Sequence, residues 1–283
     1  MKAVVLTYHS HHVVGTTYAS NDHIAFPRDL SLITQCGYQI VSLRTLVNRY
    51  IECMSRCDFD SDKERLVALT FDDGPAFDID DFMHPLYGSQ ISFLNAMLRY
   101  LEQTGGRLQP LIHATSFVIA SSSARQIMEN NADPQYTYLT TDSLDESWWN
   151  RALETTHIGI GNHSWDHLHP SLPRVAHSRQ VRADFSQVDN ELDADAQLRD
   201  AAAYISAVTR GRSSPFFAFP FGQDNPFLVS DYLPRRGKQI GISAAFSAKP
   251  SRVTSADSIW SLPRITCGHH WTEPDALAAI LLD

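Results

Sequence analysis

The feature that most constrains the fold is an alternation, along 283 residues, of short apolar runs with longer amphipathic segments. The apolar runs at 3–9, 38–41, 66–69 and 114–118 have the length of buried strands. The stretches between them show the period of helices that pack one face against a sheet. Strands alternating with helices are typical of a parallel α/β architecture, and this length is compatible with one barrel-type domain.

The amphipathic stretches give specific helix predictions. Helices are predicted at 26–36, 43–54, 91–103, 144–155 and 273–282. A segment rich in alanine and charged residues, 179–208, is predicted as one long helix or a broken pair outside the barrel. The sequence contains no internal repeat and no low-complexity linker, which agrees with a single domain.

An acidic motif follows the apolar run 66–69 directly. It reads Thr-Phe-Asp-Asp-Gly and places Asp72 and Asp73 at a strand end, before a Gly-Pro turn. Two adjacent carboxylates repel each other and lose hydration on burial, so the pair needs a compensating cation. A metal ion meets this need when one Asp is a ligand and the other acts as a base. A solvated acidic loop is the alternative.

A second polar motif lies well downstream, after the glycine-rich run 157–161, which is predicted as a short buried strand. His163 and His167 are four residues apart, a spacing that puts both imidazoles on one face of a helical turn. Together with Asp73 they form a set of three nitrogen and oxygen donors. Such a set leaves one coordination position open for water, as in catalytic zinc sites.

These motifs resemble those of the polysaccharide deacetylases of the NodB-homology superfamily, carbohydrate esterase family four. The resemblance covers most of the chain, in the family's order. The matching segments are Thr-Phe-Asp-Asp-Gly at 70–74, Ala-Thr-Ser-Phe-Val at 114–118, His-Ser-x-x-His at 163–167, Phe-Pro-Phe-Gly at 219–222 and Leu-Pro-Arg-Ile at 262–265. It implies a distorted (β/α)7-type barrel of parallel strands with outer helices, as a single polysaccharide-deacetylase-like catalytic domain over 1–283.

The resemblance also implies an activity and the roles of four residues. Asp72 is the expected catalytic base, and Asp73, His163 and His167 are the expected metal ligands. Zn²⁺ is the default ion for two histidines and one aspartate, and Co²⁺, Ni²⁺ or Fe²⁺ also suit this set. The implied reaction removes N-acetyl groups from an amino-sugar polymer or oligomer, with Asp72 taking a proton from the water that attacks the amide.

The chain departs from the family at the third motif, where Ala218 stands in place of the usual arginine. In the family that arginine neutralises and orients the catalytic base. Arg264 is predicted to replace it, because Leu-Pro-Arg-Ile is predicted as a strand end that points into the same barrel mouth.

A second departure concerns the general acid, since the family's late Leu-x-Leu-His segment is absent. His9 is predicted to act instead, at the end of the first strand in a Tyr-His opening that resembles the branch acting on poly-N-acetylglucosamine. In a closed barrel the first and last strands are neighbours, so His269 and His270 are the alternatives. His11 and His12 are predicted to be loop residues without a catalytic role.

Two residues are predicted to contact the substrate. The backbone N–H of Phe221 is the candidate oxyanion donor, because Pro220 fixes the turn before it. Trp165 is predicted to stack on a sugar ring, with core packing as the alternative. The segment 76–110 is predicted to be either a wall of the substrate groove or a surface decoration, and 130–142 is a second candidate wall.

Composition limits the classes of partner. Hydrophobic residues make up 43% of the chain and charged residues 19%, as in ordinary globular proteins. A net charge of −9 argues against a nucleic-acid binder but suits an N-acetylated carbohydrate substrate. The sequence does not specify the oligomeric state. It offers no apolar stretch long enough for a membrane span and no signal peptide, so either a cytoplasmic protein or a removed leader is expected.

Two other functions fit parts of this pattern. One is a deacylase or amidohydrolase acting on a non-sugar C–N bond, such as that of a cyclic imide or ureide, because one fold hosts several activities. The other is a catalytically silent carbohydrate-binding domain, which the missing arginine at Ala218 would suit.

Overall fold

The structure is a computed structural model that describes residues 1–59, 63–133, 137–173 and 181–282. Its strands are β1 (Lys2–Tyr8), β2 (Gln39–Val41), β3 (Arg65–Phe71), β4 (Phe82–His84), β5 (Gly88–Gln90), β6 (Ala114–Val118), β7 (Ile158–Asn162), β8 (Phe216–Ala218), β9 (Ala244–Phe246) and β10 (Ile265–Thr266). The main sheet runs in the order β10-β1-β3-β6-β7-β8-β9, and all its pairings are parallel. β2 pairs with the first half of β3 and β6 with the second half.

One segment joins the two edges of this sheet. Leu262 forms a parallel bridge with Phe246 at the end of β9, and its backbone N–H donates to the carbonyl of Ala245 at 2.9 Å. Three residues later, Ile265 of β10 pairs with Leu6 of β1. The strands therefore close into a distorted barrel, which confirms the α/β barrel expected from the sequence.

Helices pack around the barrel. They are α1 (Asp22–Gln35), α2 (Leu43–Arg56), α3 (Phe93–Thr104), α4 (Ser122–Asn130), α5 (Ser147–Glu154), α6 (Glu191–Ala194), α7 (Asp200–Val208), α8 (Leu233–Arg236) and α9 (Pro274–Leu282). Each of the first four begins after an Asn or Ser whose side chain accepts from a backbone N–H of the first turn. Such caps satisfy amide groups that have no partner within the helix.

Side-chain alternation along the strands decides what fills the barrel interior. Ala3, Ala68, Phe117, Ala218 and Phe246 come from five different strands and share one buried cluster. The residues that alternate with them, such as Val4 and Leu6 on β1, belong to another cluster together with residues of α1 and α3. The small side chains inside leave room for the ring of Phe117. A Cβ atom added to Gly161 would lie only 2.6 Å from Cδ1 of this ring, so glycine is needed there.

Two predicted elements differ from the structure. In the stretch 179–208, residues 179–180 lie outside the described residues. A short 3-10 turn forms at Phe185–Gln187, and α-helix begins only at Glu191, after the Asn190 cap. From there a π-helical turn, Asp195–Arg199, joins α6 to α7. The segment 76–110 contains the antiparallel β4–β5 hairpin besides the predicted helix. Within the described residues, no helix combines the length and apolar character that crossing a bilayer requires.

Candidate active site

Four polar side chains continue the inward-facing pattern at the carboxyl end of the barrel. His9 follows β1 in phase with Ala3 and Val5, and Asp72 follows β3 in phase with Ala68. His163 lies just beyond β7, and Arg264 just before β10. One edge of the barrel therefore gathers side chains from strands that are far apart in sequence, as parallel-strand enzymes do.

Asp72 and Arg264 form a buried, bidentate ion pair. The guanidinium nitrogens Nη1 and Nη2 donate to Oδ1 and Oδ2 of Asp72 at 2.7 and 2.8 Å. Arg264 is held in turn by the Ser247 carbonyl at 3.2 Å and lies over the ring of Phe117. Burial alone would raise the pKa of Asp72, but Arg264 and then His163 more than offset it and hold that pKa below its usual value.

This pair accounts for the departure at the third motif. Ala218 is buried in the barrel interior, and its carbonyl accepts a hydrogen bond from His163 Nδ1 at 2.9 Å. In the structure the cation beside Asp72 is Arg264, the residue proposed from the sequence to replace the missing arginine. Positive charge near Asp72 thus comes from the segment just before β10.

Asp73 turns toward the same mouth because the backbone leaves the strand conformation. Its φ is 71° and that of Gly74 is 69°, both in the left-handed region. Aspartate tolerates this region better than most residues. Without this turn, two successive side chains would point to opposite faces of the sheet. The left-handed turn therefore lets both carboxylates reach one cavity.

His163 and His167 are close together, but not through a helical turn. Ser164 and His167 have φ values of 73° and 59°, and the segment after β7 is a loop. The helical turn predicted from the four-residue spacing was therefore wrong. The loop is held by local hydrogen bonds, including one from the His167 N–H to Ser164 Oγ at 2.9 Å. It brings the two imidazole centroids to 4.8 Å.

Asp73, His163 and His167 converge on one point, with donor atoms all within 4.8 Å of one another. Asp73 Oδ1 lies 3.6 Å from His163 Nε2 and 3.4 Å from His167 Nε2, and it is buried with no hydrogen-bond partner among the described residues. In a tetrahedral site with bonds of about 2.1 Å, neighbouring donors are about 3.4 Å apart. The three residues therefore fit a small divalent ion.

The protonation states of these groups also suit an ion. The Ala218 carbonyl fixes the proton of His163 on Nδ1, which leaves Nε2 as an electron-pair donor. Burial, with His163 adding to it, lowers the pKa of His167 to about 3, so this imidazole is neutral at neutral pH. Burial opposes ionisation of Asp73, but His167 and His11 more than offset it and hold its pKa well below the usual range.

A cavity of about 570 Å³ opens over these side chains. His9, His269 and His270 all line it, so the structure brings together the predicted acid and both alternatives. Burial lowers the pKa of His9, against the opposing effects of Asp72 and Asp73. His270 Nδ1 accepts from the Thr266 N–H at 2.8 Å, which fixes this side chain in the turn after β10.

Phe221 and Trp165 lie in different settings. Phe221 lines the cavity, has a φ of 56°, and places its ring 4.4 Å from that of His167. Trp165 is not among the described residues that line the cavity. It is half-buried, packs against the core and meets the ring of Tyr204 edge-on at 5.9 Å. Core packing, the alternative given for Trp165, is therefore the role that its contacts support.

Of the two predicted walls, the later one lines the cavity. Asn131, Asp133, Thr137 and Leu139 contribute from the predicted segment 130–142, in which residues 134–136 lie outside the described residues. None of the residues at 76–110 lines the cavity. That segment stacks Phe77 on Phe82 within itself, with centroids 3.9 Å apart. It contacts the barrel through the buried Asp78, whose carboxyl oxygens accept hydrogen bonds from the hydroxyls of Ser10 and Ser116.

His11 is a residue of the site that the sequence prediction missed. It was expected to be a loop residue without a role, but its Nε2–H donates to Asp73 Oδ2 at 2.8 Å. Burial opposes its protonation, yet the hydrogen bond with Asp73 raises its pKa above the usual value. His12, in contrast, bonds Asp22 at 2.7 Å. The only hint in the sequence is that His9 and His11 are two residues apart, a spacing that puts both side chains on the same face of an extended chain.

Solved structures with the same fold include several deacetylases. A Streptococcus pyogenes deacetylase, PplD, in complex with acetate has a TM-score of 0.58 and 18% identity, covering 99% of this chain and 98% of its own. A de-N-acetylase from Aggregatibacter actinomycetemcomitans has a TM-score of 0.58 and 15% identity, covering 98% and 100%. IcaB from Ammonifex degensii has a TM-score of 0.56 and 14% identity, covering 100% of both chains.

Sequence comparison gives a family assignment. No curated protein matches the chain significantly. The sequence model of the family described as polysaccharide deacetylase matches residues 60–244, more than half of the chain. This range contains Asp72, Asp73, His163 and His167. The chain therefore belongs to the polysaccharide deacetylase family.

Proposed function

We propose that this protein is a metal-dependent hydrolase that removes N-acetyl groups from an amino-sugar polymer or oligomer. One observation carries the proposal: the Asp72–Arg264 pair lies beside the converging Asp73, His163 and His167, in one cavity. The similar structures include a deacetylase in complex with acetate and a de-N-acetylase, which supports acetyl as the group removed. The substrate is then an N-acetylated carbohydrate.

Asp72 is the proposed base. Its carboxylate is ionised because Arg264 offsets the cost of burial, and the bidentate contact fixes its orientation. Asp72 Oδ2 also lies 3.7 Å from His163 Nε2, at the edge of the three-donor group. An ionised carboxylate in this position accepts a proton from a water that attacks an amide carbon.

Asp73, His163 and His167 are the residues proposed to hold the ion. Two imidazoles and one carboxylate favour Zn²⁺, and Co²⁺, Ni²⁺ or Fe²⁺ are alternatives. The chemistry such an ion supplies is Lewis-acid activation of water and polarisation of the amide carbonyl. The backbone N–H of Phe221 is the proposed hydrogen-bond donor to the developing oxyanion, because Phe221 lines the cavity next to His167.

His9 is proposed to protonate the departing amine. Its imidazole lines the cavity, and the charges of Asp72 and Asp73 raise its pKa against the larger effect of burial. Because burial lowers its pKa, its protonated form is lost as pH rises through the acid range, so activity that depends on this form falls there. A basic limb of the pH–rate profile that persists unchanged in His9→Ala would move the role to His269 or His270.

The paired Arg264 weakens the case for a silent binding domain. That alternative drew on the missing arginine at Ala218, and Arg264, from the segment before β10, provides a cation beside Asp72. A deacylase of non-sugar C–N bonds would use the same groups, so the substrate is decided by assay. We expect acetate release from N-acetylglucosamine oligomers and no turnover of cyclic imides or ureides. The reverse result would reject the proposal.

The division of roles is tested with two variants of neighbouring carboxylates. Asp72→Asn should reduce kcat by at least about 100-fold while the protein keeps its metal, since a general base contributes roughly that much or more. Asp73→Asn should lose both metal and activity. Elemental analysis of the purified variants provides the comparison. Metal loss in Asp72→Asn, or full activity of the wild type in a strong chelator, would contradict these roles.

A further inference from the structure

We propose that His11 is a positioning residue, which holds the Asp73 carboxylate so that its Oδ1 atom faces His163 and His167. The proposal rests on the metal site put forward above and deepens it. It concerns a side chain that belongs to neither the three-donor group nor the base. Three features support this role: one hydrogen bond, the loop that fixes it, and an adjacent histidine with a different partner.

The two oxygens of Asp73 have separate tasks. Oδ2 accepts from His11 Nε2 at 2.8 Å, whereas Oδ1 lies 3.4 Å from His167 Nε2 and 3.6 Å from His163 Nε2. A carboxylate is planar, so anchoring one oxygen sets the direction of the other. Without His11, rotation of the carboxylate would take Oδ1 away from the two imidazoles. The hydrogen bond of His11 thus preorganises one ligand.

His11 is itself held by its backbone. The carbonyl of His11 accepts hydrogen bonds from the N–H of Val13 at 3.0 Å and of Tyr138 at 2.9 Å. Tyr138 is fixed in turn by near-parallel rings of Phe77 and Phe82, with centroids 5.8 and 5.6 Å from its own. The loop after β1 is therefore tied to the cavity wall at Tyr138, which limits the positions open to the imidazole.

The contact made by His11 indicates positioning rather than ligation. The nitrogen that faces the site donates its proton to Asp73, because a carboxylate only accepts. His11 is not part of the group whose donor atoms converge. Its other nitrogen, Nδ1, is buried and has no hydrogen-bond partner within the described parts of the chain. The tight placement of this imidazole is therefore explained best by the bond to Asp73.

The test measures zinc affinity with a competing chelator, on His11→Leu, His11→Gln and His11→Asn. The Gln amide nitrogen reaches the position of histidine Nε2, whereas the Asn amide is one methylene shorter. We expect His11→Leu to bind zinc about 10- to 100-fold more weakly, as other supporting residues around metal ligands do. His11→Gln should recover most of that loss and His11→Asn should not.

His12→Gln is the matched control, because His12 is next to His11 in sequence but its imidazole bonds Asp22 and not Asp73. It should bind zinc as the wild type does. The absorption spectrum of the cobalt-loaded protein should be the same in wild type and His11→Gln, since the ligands do not change. Circular dichroism of the metal-free variants checks that each is folded. Where His11→Leu does not fold, the comparison of His11→Gln with His11→Asn provides the test.

Several outcomes would overturn the proposal. Wild-type zinc affinity in His11→Leu, or equal affinities in the Gln and Asn variants, would show that this hydrogen bond does not matter. A changed cobalt spectrum in His11→Gln would make His11 a ligand itself. Failure of the wild type to bind zinc, cobalt, nickel or iron is a different result, which would reject the proposed metal site and function.

Discussion

Asp72 and Asp73 are adjacent in sequence, yet their surroundings prepare them for different chemistry. Arg264 engages both oxygens of Asp72, so that carboxylate keeps its charge and a fixed orientation. Asp73 is bonded at one oxygen by His11 and leaves the other buried without a hydrogen bond among the described residues. An unpaired buried carboxylate oxygen is costly, and a cation relieves this cost. The partners of the two residues thus suit the roles proposed for them, with Asp72 as the base and Asp73 as a ligand.

The Asp72–Arg264 pair predicts a change in pH dependence. Arg264→Ala removes the cation that lowers the Asp72 pKa, and burial then raises it. Because the base must be ionised, the acid limb of the pH–rate profile should move to higher pH, by about 1–3 units. Arg264→Lys keeps the charge and should move it less. An acid limb unchanged in Arg264→Ala would contradict the assigned partner.

The same variant has a cost in stability. Removing one member of a buried ion pair costs about 3–5 kcal/mol, because the remaining charge is left unpaired. The free energy of unfolding should therefore be measured before the kinetics. Arg264→Lys provides the pH profile where Arg264→Ala does not fold.

Asp29 predicts how stability depends on pH away from the site. This buried carboxyl accepts hydrogen bonds from the hydroxyls of Tyr8 and Tyr18. Burial raises its pKa from 3.8 to about 7, although these hydrogen bonds oppose the shift. Between those values the folded protein retains a proton that the unfolded chain has lost. The contribution of Asp29 to stability therefore falls as pH rises from about 4 to 7, by at most about 1.4 kcal/mol per unit.

Chemical denaturation of the wild type and of Asp29→Asn across this range measures the effect. Other carboxyls, including Asp78 with a pKa raised to about 7 by burial, contribute in both proteins and cancel in the difference. The stability of Asp29→Asn relative to the wild type should increase with pH up to about 7. If the free energies of unfolding of the two proteins run parallel as pH changes, Asp29 does not titrate with a raised pKa.

The sequence predicted which residues meet at the candidate site better than it predicted their geometry. Asp72, Asp73, His163 and His167 carry a recognisable pattern, and Arg264 was inferred from the need for a cation near the base. His11 gave no comparable signal, because a histidine in a loop is equally compatible with a solvent-exposed role. Its contact with Asp73 exists only because the chain turns after β1 and the turn is held by Tyr138.

At the scale of elements, the turns after the strands matter more than the strands themselves. The apolar runs predicted β1, β2, β3 and β7 to within two residues and 114–118 as observed, whereas no run was predicted for β4, β5, β8 or β9. The spacing of His163 and His167 predicted a helical turn, whereas local hydrogen bonds to Asn162 and Asp166 side chains form a loop with left-handed residues. Hydrogen bonds of this kind compete with a helix, and spacing alone does not reveal them.

Gly74 provides a test of the turn that directs Asp73. Its φ is +69°, and a Cβ there would lie 2.6 Å from Val118 Cγ1 and 3.0 Å from the Val118 backbone. Gly74→Ala should therefore combine the cost of a left-handed residue, about 1–2 kcal/mol, with overpacking of about 1–3 kcal/mol. The displaced turn should also weaken zinc binding.

Gly88→Ala is the matched control for that variant. Gly88 has a similar φ of +73°, in the β4–β5 hairpin, and a Cβ there meets no atom of the described structure within 4 Å. Gly88→Ala should lower the free energy of unfolding only by the cost of the left-handed conformation, and its zinc affinity should be that of the wild type. Unfolding free energies and zinc titrations of both variants make the comparison. Equal costs and equal affinities would show that contact with Val118 does not hold the turn.

At the scale of the whole molecule, the site joins strands that do not pair with each other. Asp73 follows β3, and both histidines follow β7, with β6 between them in the sheet. Arg264 comes from the segment next to β10 that closes the barrel. Closure itself is hard to predict from sequence, because it depends on Leu262 reaching Phe246 while Ile265 reaches Leu6, contacts that leave no local pattern.

This arrangement predicts that metal binding stabilises the entire barrel. An ion held by donors from β3 and β7 binds the folded chain only, since the unfolded chain does not bring these residues together. Zinc at 100 times its dissociation constant should add about 2.7 kcal/mol to the free energy of unfolding. Thermal unfolding should shift upward by about 5–10 °C, because 1 kcal/mol corresponds to roughly 2–4 °C at this size. His163→Ala should show no such shift, and a chelator should reverse the shift in the wild type. An equal rise in both proteins would place the bound zinc outside the group formed by Asp73, His163 and His167.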